Sequence, residues 1–251
     1  MIDIDTGYSL SYVPYLKNVV LDEYAETLVF DFEPERLSIP GAIDTDSFIE
    51  YYLNLTLYYY RICNNRKVQG MTAFNAGVVE VMDEINGSPF ELAVEKGVVI
   101  IEPMLLERHN QHHLRFTMMH EGSHWLLHRN AFAVETPFGP AGLYANQFLA
   151  AQDGRGDYLC NQKERNDIDC MESQADYLSA AILMPRPALR IAFEDFFSIY
   201  NVSPQQIIRG RSFIDDAFVV LLPKYISCIF NVSTHAALIR LEKLRAIIDA
   251  S

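Results

Sequence analysis

The spacing of apolar and polar residues divides the chain into an amino-terminal helical part, a group of strands and a mainly helical second half. Apolar residues recur at helical spacing from Lys17 to Phe32, and Pro34 marks the end of this predicted helix. A short second helix is predicted after Asp44 or Thr45, either of which is a suitable cap. Both helices have the character of packing elements.

The following segment is rich in β-branched, aromatic and aliphatic residues, which favour strands. Leu55 to Ile62 is predicted to be a strand. Two short apolar runs, Gly70 to Phe74 and Val78 to Met82, are separated by Asn75-Ala76-Gly77, which predicts a β-hairpin. Val98 to Ile101 is predicted to be a further strand. The segment therefore predicts a small, mainly antiparallel sheet.

The second half predicts helices joined by one long irregular segment. In order, it contains a helix over 107–129, a loop over 131–169, a helix over 170–184 and a helical carboxy-terminal lobe over 186–251. With the helices and sheet of residues 17–103, this predicts a single α+β domain over residues 1–251.

The helix over 107–129 contains the pattern H-E-x-x-H at His120, Glu121 and His124. Helical residues four apart lie ~40° apart around the axis and ~6 Å apart along it, so His120 and His124 can direct ring nitrogens at one point. A zinc ion accepts such nitrogens at ~2.0–2.1 Å. Glu121 is offset by ~100° and is therefore predicted to act on a metal-bound water as general base. His128 is not predicted to be a third ligand, because the three histidines would span ~12 Å along the helix.

The helix over 170–184 offers the remaining ligand. Glu172 and Asp176 lie one turn apart on one face of a helix that is otherwise rich in alanine and leucine. A catalytic zinc with two histidines needs a third protein ligand, and Glu172 completes the known His₂Glu set. Asp176 is predicted to accept the other ring N–H of one zinc histidine.

Charge and composition restrict the classes of partner. The formal net charge of −13 disfavours binding to nucleic acid phosphates and anionic membranes. The acidic start of the chain lacks the features of a secretion signal, and no apolar run approaches the ~18 residues of a membrane span. The four cysteines are scattered, which is typical of thiols in a reducing compartment. A cytoplasmic location is therefore expected.

Together the two motifs resemble those of a known family. R-F-T-x-x-H-E-x-x-H-W-x-L-H followed by E-x-Q-A-D-Y-x-x-A-x-x-L-M-P is similar to the ImmA/IrrE family of bacterial zinc metallopeptidases, which are gluzincin-type enzymes. The resemblance covers most of Lys17 to Ile248. One departure is Gly122-Ser123, which stands where the family has Leu-Gly and puts a helix-weakening glycine beside Glu121.

The resemblance implies a minimal zincin-like fold and a bound Zn²⁺. By position, His120, His124 and Glu172 resemble the zinc ligands, Glu121 the general base and Asp176 the residue that supports a ligand. It also implies site-specific, regulatory cleavage of a protein substrate such as a transcriptional repressor. In metallopeptidases the edge strand of a sheet can pair with an extended substrate. The position of Val98 to Ile101 just before the H-E-x-x-H helix suggests that this strand is the substrate-binding edge.

Three questions stay open at the level of sequence. The donor that stabilises the oxyanion is Tyr144, Tyr158 or one of His109 to His113. One alternative function is a catalytically idle member that binds zinc and a regulator through the same cleft. Another is a DNA-binding regulator that uses the carboxy-terminal helices, with positive charge from Arg240, Lys243 and Arg245.

Overall fold

The structure is a computed structural model that describes residues 15–63, 67–132, 135–136, 139–140, 149–152 and 167–250. Most of the long loop predicted over 131–169 lies outside these residues. Two compact units are present, one from Met1–Leu21 and Thr45–Ser179, the other from Asp22–Asp44 and Ala180–Ser251. None of the helices in the described ranges has the length and apolar character needed to cross a membrane.

The elements form a mixed α+β fold with small sheets and a helical carboxy-terminal region, as the sequence predicts. The helices are α1 (Asn18–Phe32), α2 (Thr45–Ser47, continued by a π-helical turn Phe48–Tyr52), α3 (Gln111–Phe132), α4 (Asp167–Leu183), α5 (Arg186–Ile199), α6 (Phe213–Phe230) and α7 (Thr234–Lys243). Short 3₁₀ turns are Pro34–Leu37, Pro103–Leu106 and Arg108–Asn110. The strands are β1 (Thr56–Tyr59), β2 (Val68–Thr72), β3 (Gly77–Met82), β4 (Pro89–Val94), β5 (Val98–Ile101), β6 (Glu135–Thr136), β7 (Gly139–Pro140), β8 (Leu149–Gln152), β9 (Ile207–Arg209) and β10 (Ile247–Asp249).

The largest sheet has the strand order β1-β5-β2-β8 and lies in the first unit. β1 runs parallel to β5, whereas β2 is antiparallel to both β5 and β8. β5 is a run of four β-branched residues, all buried, because a strand with neighbours on both sides and packed faces favours such a run. The suggestion that β5 is a free edge for substrate is therefore wrong, since it lies between β1 and β2.

The predicted hairpin between Gly70–Phe74 and Val78–Met82 is also wrong. The main chain beyond β2 stays on β5, with the Ala73 N–H donating to Val98 O and the Gly97 N–H donating to Ala73 O. Phe74 is fixed by ring stacking on Phe132 and Trp125, with centroid distances of 4.3 and 6.5 Å. This aromatic contact holds the chain against α3 where the hairpin would require it to turn back. β3 instead pairs with β4.

Strand alternation gives β2 two different faces. Met71 joins a buried apolar cluster that also contains Val98 and Ile100 of β5. Because successive side chains of a strand point to opposite faces, Gly70 and Thr72 lie on the other side, where α3 packs. The sheet thus places one glycine and one hydroxyl against the helix that carries the H-E-x-x-H pattern.

The second unit contains a buried ion pair. The Arg240 guanidinium lies 2.6 Å from Asp22 Oδ1 and also donates to Met184 O at 3.3 Å. Arg240 is only 1% exposed, so its positive charge, which the DNA-binding alternative uses, is not presented at the surface. Lys243 and Arg245 are exposed.

Candidate metal centre

The middle of helix α3 buries ionisable side chains beside apolar ones. His120 is 4% exposed, and Glu121 and His124 are fully buried, whereas the flanking Trp125 and Leu126 are only partly buried. Ionisable groups are costly to bury without partners, so a buried histidine pair beside a glutamate requires hydrogen bonds, a metal ion or both.

Helix α4 brings a carboxylate to these histidines. Met171, Ala175 and Leu178 of this helix are buried, and Glu172 Oε2 lies 3.2 Å from His120 Nε2 of α3. One nitrogen each of His120 and His124 and one oxygen of Glu172 lie within 4.8 Å of one another. The structure therefore brings together the three residues that the two motifs predict as ligands.

The spacing of these atoms fits a small tetrahedral ion. The two Nε2 atoms lie 2.9 Å apart, and the Glu172 oxygens lie 3.2 Å from His120 Nε2 and 3.5 Å from His124 Nε2. Ligand atoms at ~2.0–2.1 Å around a tetrahedral zinc are separated by about 3.3 Å. Two imidazoles and one carboxylate also match the donor set of a catalytic zinc. Glu172 keeps 24% of its side chain exposed, which leaves access from solvent.

The electrostatics of the three groups agree with one shared site. Burial lowers the pKa of His120, but hydrogen bonds to Asp176 and Glu172 outweigh it, and this pKa lies well above its ordinary value. Burial lowers the pKa of His124 below its ordinary value. Burial raises the pKa of Glu172, yet hydrogen bonds from both histidines hold it far below its usual range. A carboxylate that stays ionised beside imidazoles is suited to cation binding.

Asp176 contacts one of the two histidines specifically. Its Oδ1 lies 2.9 Å from His120 Nδ1, the ring nitrogen opposite the one that faces Glu172. The sequence predicted such a contact without choosing between the histidines. An aspartate in this position fixes the ring orientation of a ligand and increases its basicity.

The Glu121 side chain is hydrogen-bonded to the sheet and not to the side chains of the cluster. Thr72 Oγ1 donates to Glu121 Oε2 at 2.6 Å, whereas Glu121 Oε1 is buried and has no hydrogen-bond partner among the described residues. A Cβ added to Gly70 would lie 2.5 Å from that Oε1, so the absent side chain of Gly70 makes room for the carboxylate. Burial raises the pKa of Glu121 to about 7, against the opposing effects of His120 and the Thr72 hydrogen bond. Such a value suits a general base near neutral pH.

The Gly122-Ser123 departure has a packing explanation. A Cβ on Gly122 would lie 2.5 Å from Ile49 Cδ1 and 3.1 Å from Leu53 Cδ1, so the glycine allows these side chains to approach the helix. Ser123 Oγ lies 3.0 Å from Ser179 Oγ, and the Ser179 hydroxyl donates to Ala175 O. The Ser123 hydroxyl therefore donates to Ser179 Oγ and links α3 to α4.

Sequence reasoning gave no function to several residues at this site. Gly70 and Thr72 come from a distant strand, and nothing in their local sequence marks them. His128 is fully buried, contacts His124 on the side away from Glu172, and is not part of the cluster of His120, His124 and Glu172. Its position eight residues after His120 was the one sequence feature that could have indicated a role for His128 at this site. Burial and the nearby His124 lower the pKa of His128 to about 3, so its ring is neutral.

The sequence offers Tyr144, Tyr158 and His109 to His113 as candidate oxyanion donors. Tyr144 and Tyr158 lie outside the described residues. His109 is exposed, with its Nε2 3.5 Å from Glu107, and His112 and His113 are exposed in the first turn of α3. In the described part of the chain, the group of possible metal ligands consists of His120, His124 and Glu172. Comparison of the chain with models of known protein families and with curated proteins finds no match.

Proposed function

We propose that this protein is a zinc-dependent endopeptidase of the gluzincin type, similar to the ImmA/IrrE metallopeptidases. One observation carries the proposal. Two imidazole nitrogens and a carboxylate oxygen from separate helices lie within 4.8 Å of one another, next to the buried Glu121 carboxylate. This combination supplies both the ligands and the base of a metal-assisted hydrolase.

Zinc held by His120, His124 and Glu172 would polarise the scissile carbonyl and lower the pKa of the attacking water. The chain itself moves the proton. Glu121 Oε1, which has no other partner in the described residues, accepts the proton of the water and delivers it to the leaving amine nitrogen. The Thr72 hydroxyl holds the second oxygen of this carboxylate, so the base keeps one orientation throughout.

The substrate we propose is a transcriptional repressor encoded near the gene of this protein and cut at one site in the cytoplasm. The resemblance of the two motifs to regulatory metallopeptidases supports this assignment. The net charge of −13 agrees with a protein substrate and disfavours direct binding to nucleic acid.

The proposal is tested by incubating the zinc-loaded protein with each repressor encoded beside its gene and with a proteome-derived peptide library. Intact mass and amino-terminal mapping locate the cuts. We expect cleavage at one or a few sites, complete loss with 1,10-phenanthroline and recovery when zinc is added back, because the ligands hold the metal reversibly.

Absence of cleavage in every sample, with zinc bound, would contradict the peptidase proposal. The same protein would then fit a zinc-binding regulator without catalytic activity. Cleavage that survives removal of the metal would indicate a contaminating protease and would also contradict the proposal.

A further inference from the structure

His128 lies on the same stripe of α3 as the two predicted ligands. The three histidines are spaced four residues apart, and the His128 side chain is fully buried. Its Nδ1 lies 3.0 Å from His124 Nδ1, and its Nε2 lies 3.1 Å from Gln174 Oε1. His128 therefore bridges the far side of the His124 ring to α4.

The positions of the ring hydrogens follow from these contacts. A neutral imidazole carries one N–H, and the nitrogen that faces a metal must present a lone pair. If His124 Nε2 faces the metal, its hydrogen is on Nδ1, and His128 Nδ1 must accept that hydrogen. The hydrogen of His128 is then on Nε2 and donates to Gln174 Oε1. The opposite tautomer of His128 would place two N–H groups against each other.

The Gln174 amide has the orientation that this order of hydrogen bonds needs. Its Oε1 faces His128, and its Nε2 donates to Cys170 Sγ at 3.3 Å. Gln174 is 4% exposed, so solvent does not readily replace these contacts. Each donor in the series from His124 through His128 to Gln174 meets an acceptor.

We propose that His128 and Gln174 are positioning residues that fix His124 in the tautomer and orientation in which Nε2 binds the metal. This inference rests on the proposed zinc site. His120 receives the same support from the carboxylate of Asp176, so the two histidines are held by different chemistry, one by an anionic acceptor and one by a neutral ring.

The competing explanation is that His128 contributes only by packing in the core. Two substitutions distinguish this packing role from the positioning role. The amide oxygen of asparagine lies close to the position of histidine Nδ1, whereas the amide of glutamine reaches the position of Nε2. His128→Asn therefore keeps an acceptor for His124 and loses the contact with Gln174. His128→Gln keeps the contact with Gln174 and loses the acceptor. If His128 only packs, His128→Gln should be the milder change because glutamine fills more of the space. If His128 positions His124, His128→Asn should be the milder change.

The test measures the zinc dissociation constant of the full chain by competition with a chromophoric chelator. We expect His128→Gln to weaken zinc binding by about 10- to 100-fold, as found for partners of zinc ligands, and His128→Asn to stay within about threefold of the wild type. Visible absorption of the cobalt-substituted protein gives a second readout, with an altered spectrum expected for His128→Gln. His235→Gln, at an exposed position of α7, is the matched control.

The outcomes separate failure of this inference from failure of the metal site. A wild type that binds no zinc overturns the proposed function. A wild type that binds zinc, with His128→Asn equal to or weaker than His128→Gln, overturns the inference alone. If a variant fails to fold, ¹⁵N NMR of the zinc-bound wild type decides, since the inference requires protonated Nδ1 on His124 and protonated Nε2 on His128. The reverse tautomer of His128 would contradict it.

Discussion

Glu121→Gln is expected to slow peptide-bond cleavage by at least about 100-fold while the bound zinc is retained. The substitution keeps the shape of the side chain, and the amide oxygen can still accept the 2.6 Å hydrogen bond from Thr72 Oγ1. It removes the carboxylate that we propose accepts the proton of the attacking water. Loss of a positioned general base reduces the rate by about 10²- to 10⁴-fold.

The measurement pairs the cleavage rate with the zinc content of the same preparation. Glu84→Gln makes the same chemical change at an exposed position of the β3–β4 connection and serves as the control. Zinc content should equal that of the wild type in both variants, because Glu121 is not among the clustered ligand atoms. Full cleavage activity in Glu121→Gln would show that another group removes the proton.

Arg240→Ala is expected to cause the largest loss of stability in the second unit. The Arg240 guanidinium and the Asp22 carboxylate are both nearly buried and lie 2.6 Å apart. Removal of the arginine leaves the carboxylate without this cation in a place where solvent cannot replace it. Breaking a buried ion pair in this way costs about 3–5 kcal/mol. The nearby Arg186, 3.9 Å from Asp22, reduces the loss toward the lower end of that range.

The free energy of unfolding is measured by urea denaturation. Lys243→Ala, at an exposed position of the same helix, should change it by less than about 0.5 kcal/mol. A double variant with leucine at positions 22 and 240 should recover part of the loss, because no buried charge is left behind. A loss below about 1 kcal/mol in Arg240→Ala would match an exposed pair and would contradict the buried arrangement.

Local patterns predicted the helices and the candidate site well because the relevant geometry is set within one helix. The four-residue spacing of His120 and His124 directs both rings to one point, and the same spacing relates Glu172 to Asp176. The chemistry of the ligand set then joins the two helices, and the structure brings these atoms together. Their function as zinc ligands stays a prediction.

Strand pairing was predicted less well because it depends on contacts between distant residues. The Asn75-Ala76-Gly77 turn indicated a hairpin, but the stacking of Phe74 on Phe132 and Trp125 keeps β2 on β5. The placement of Gly70 and Thr72 beside Glu121 follows from that pairing. No local sequence pattern could have predicted that these two residues contact Glu121.

His128 illustrates the same limit at the site itself. Helix geometry predicted that it is too far along the axis to share a metal with His120, and His128 is not part of the cluster of His120, His124 and Glu172. The sequence did not indicate its contact with Gln174, because that contact depends on how α3 and α4 pack. Tertiary structure decides which residue contacts a predicted ligand, even where the ligand itself is predicted from sequence.

The central claim is that two motifs distant in the sequence form one zinc site. Elemental analysis after dialysis measures it directly on the wild type, His120→Ala, Glu172→Ala and the control His235→Ala, which changes an exposed histidine of α7. The account predicts about one zinc per chain in the wild type and the control, and much less in the two ligand variants. A wild type that holds no zinc, or a Glu172→Ala variant that holds as much as the wild type, would contradict it.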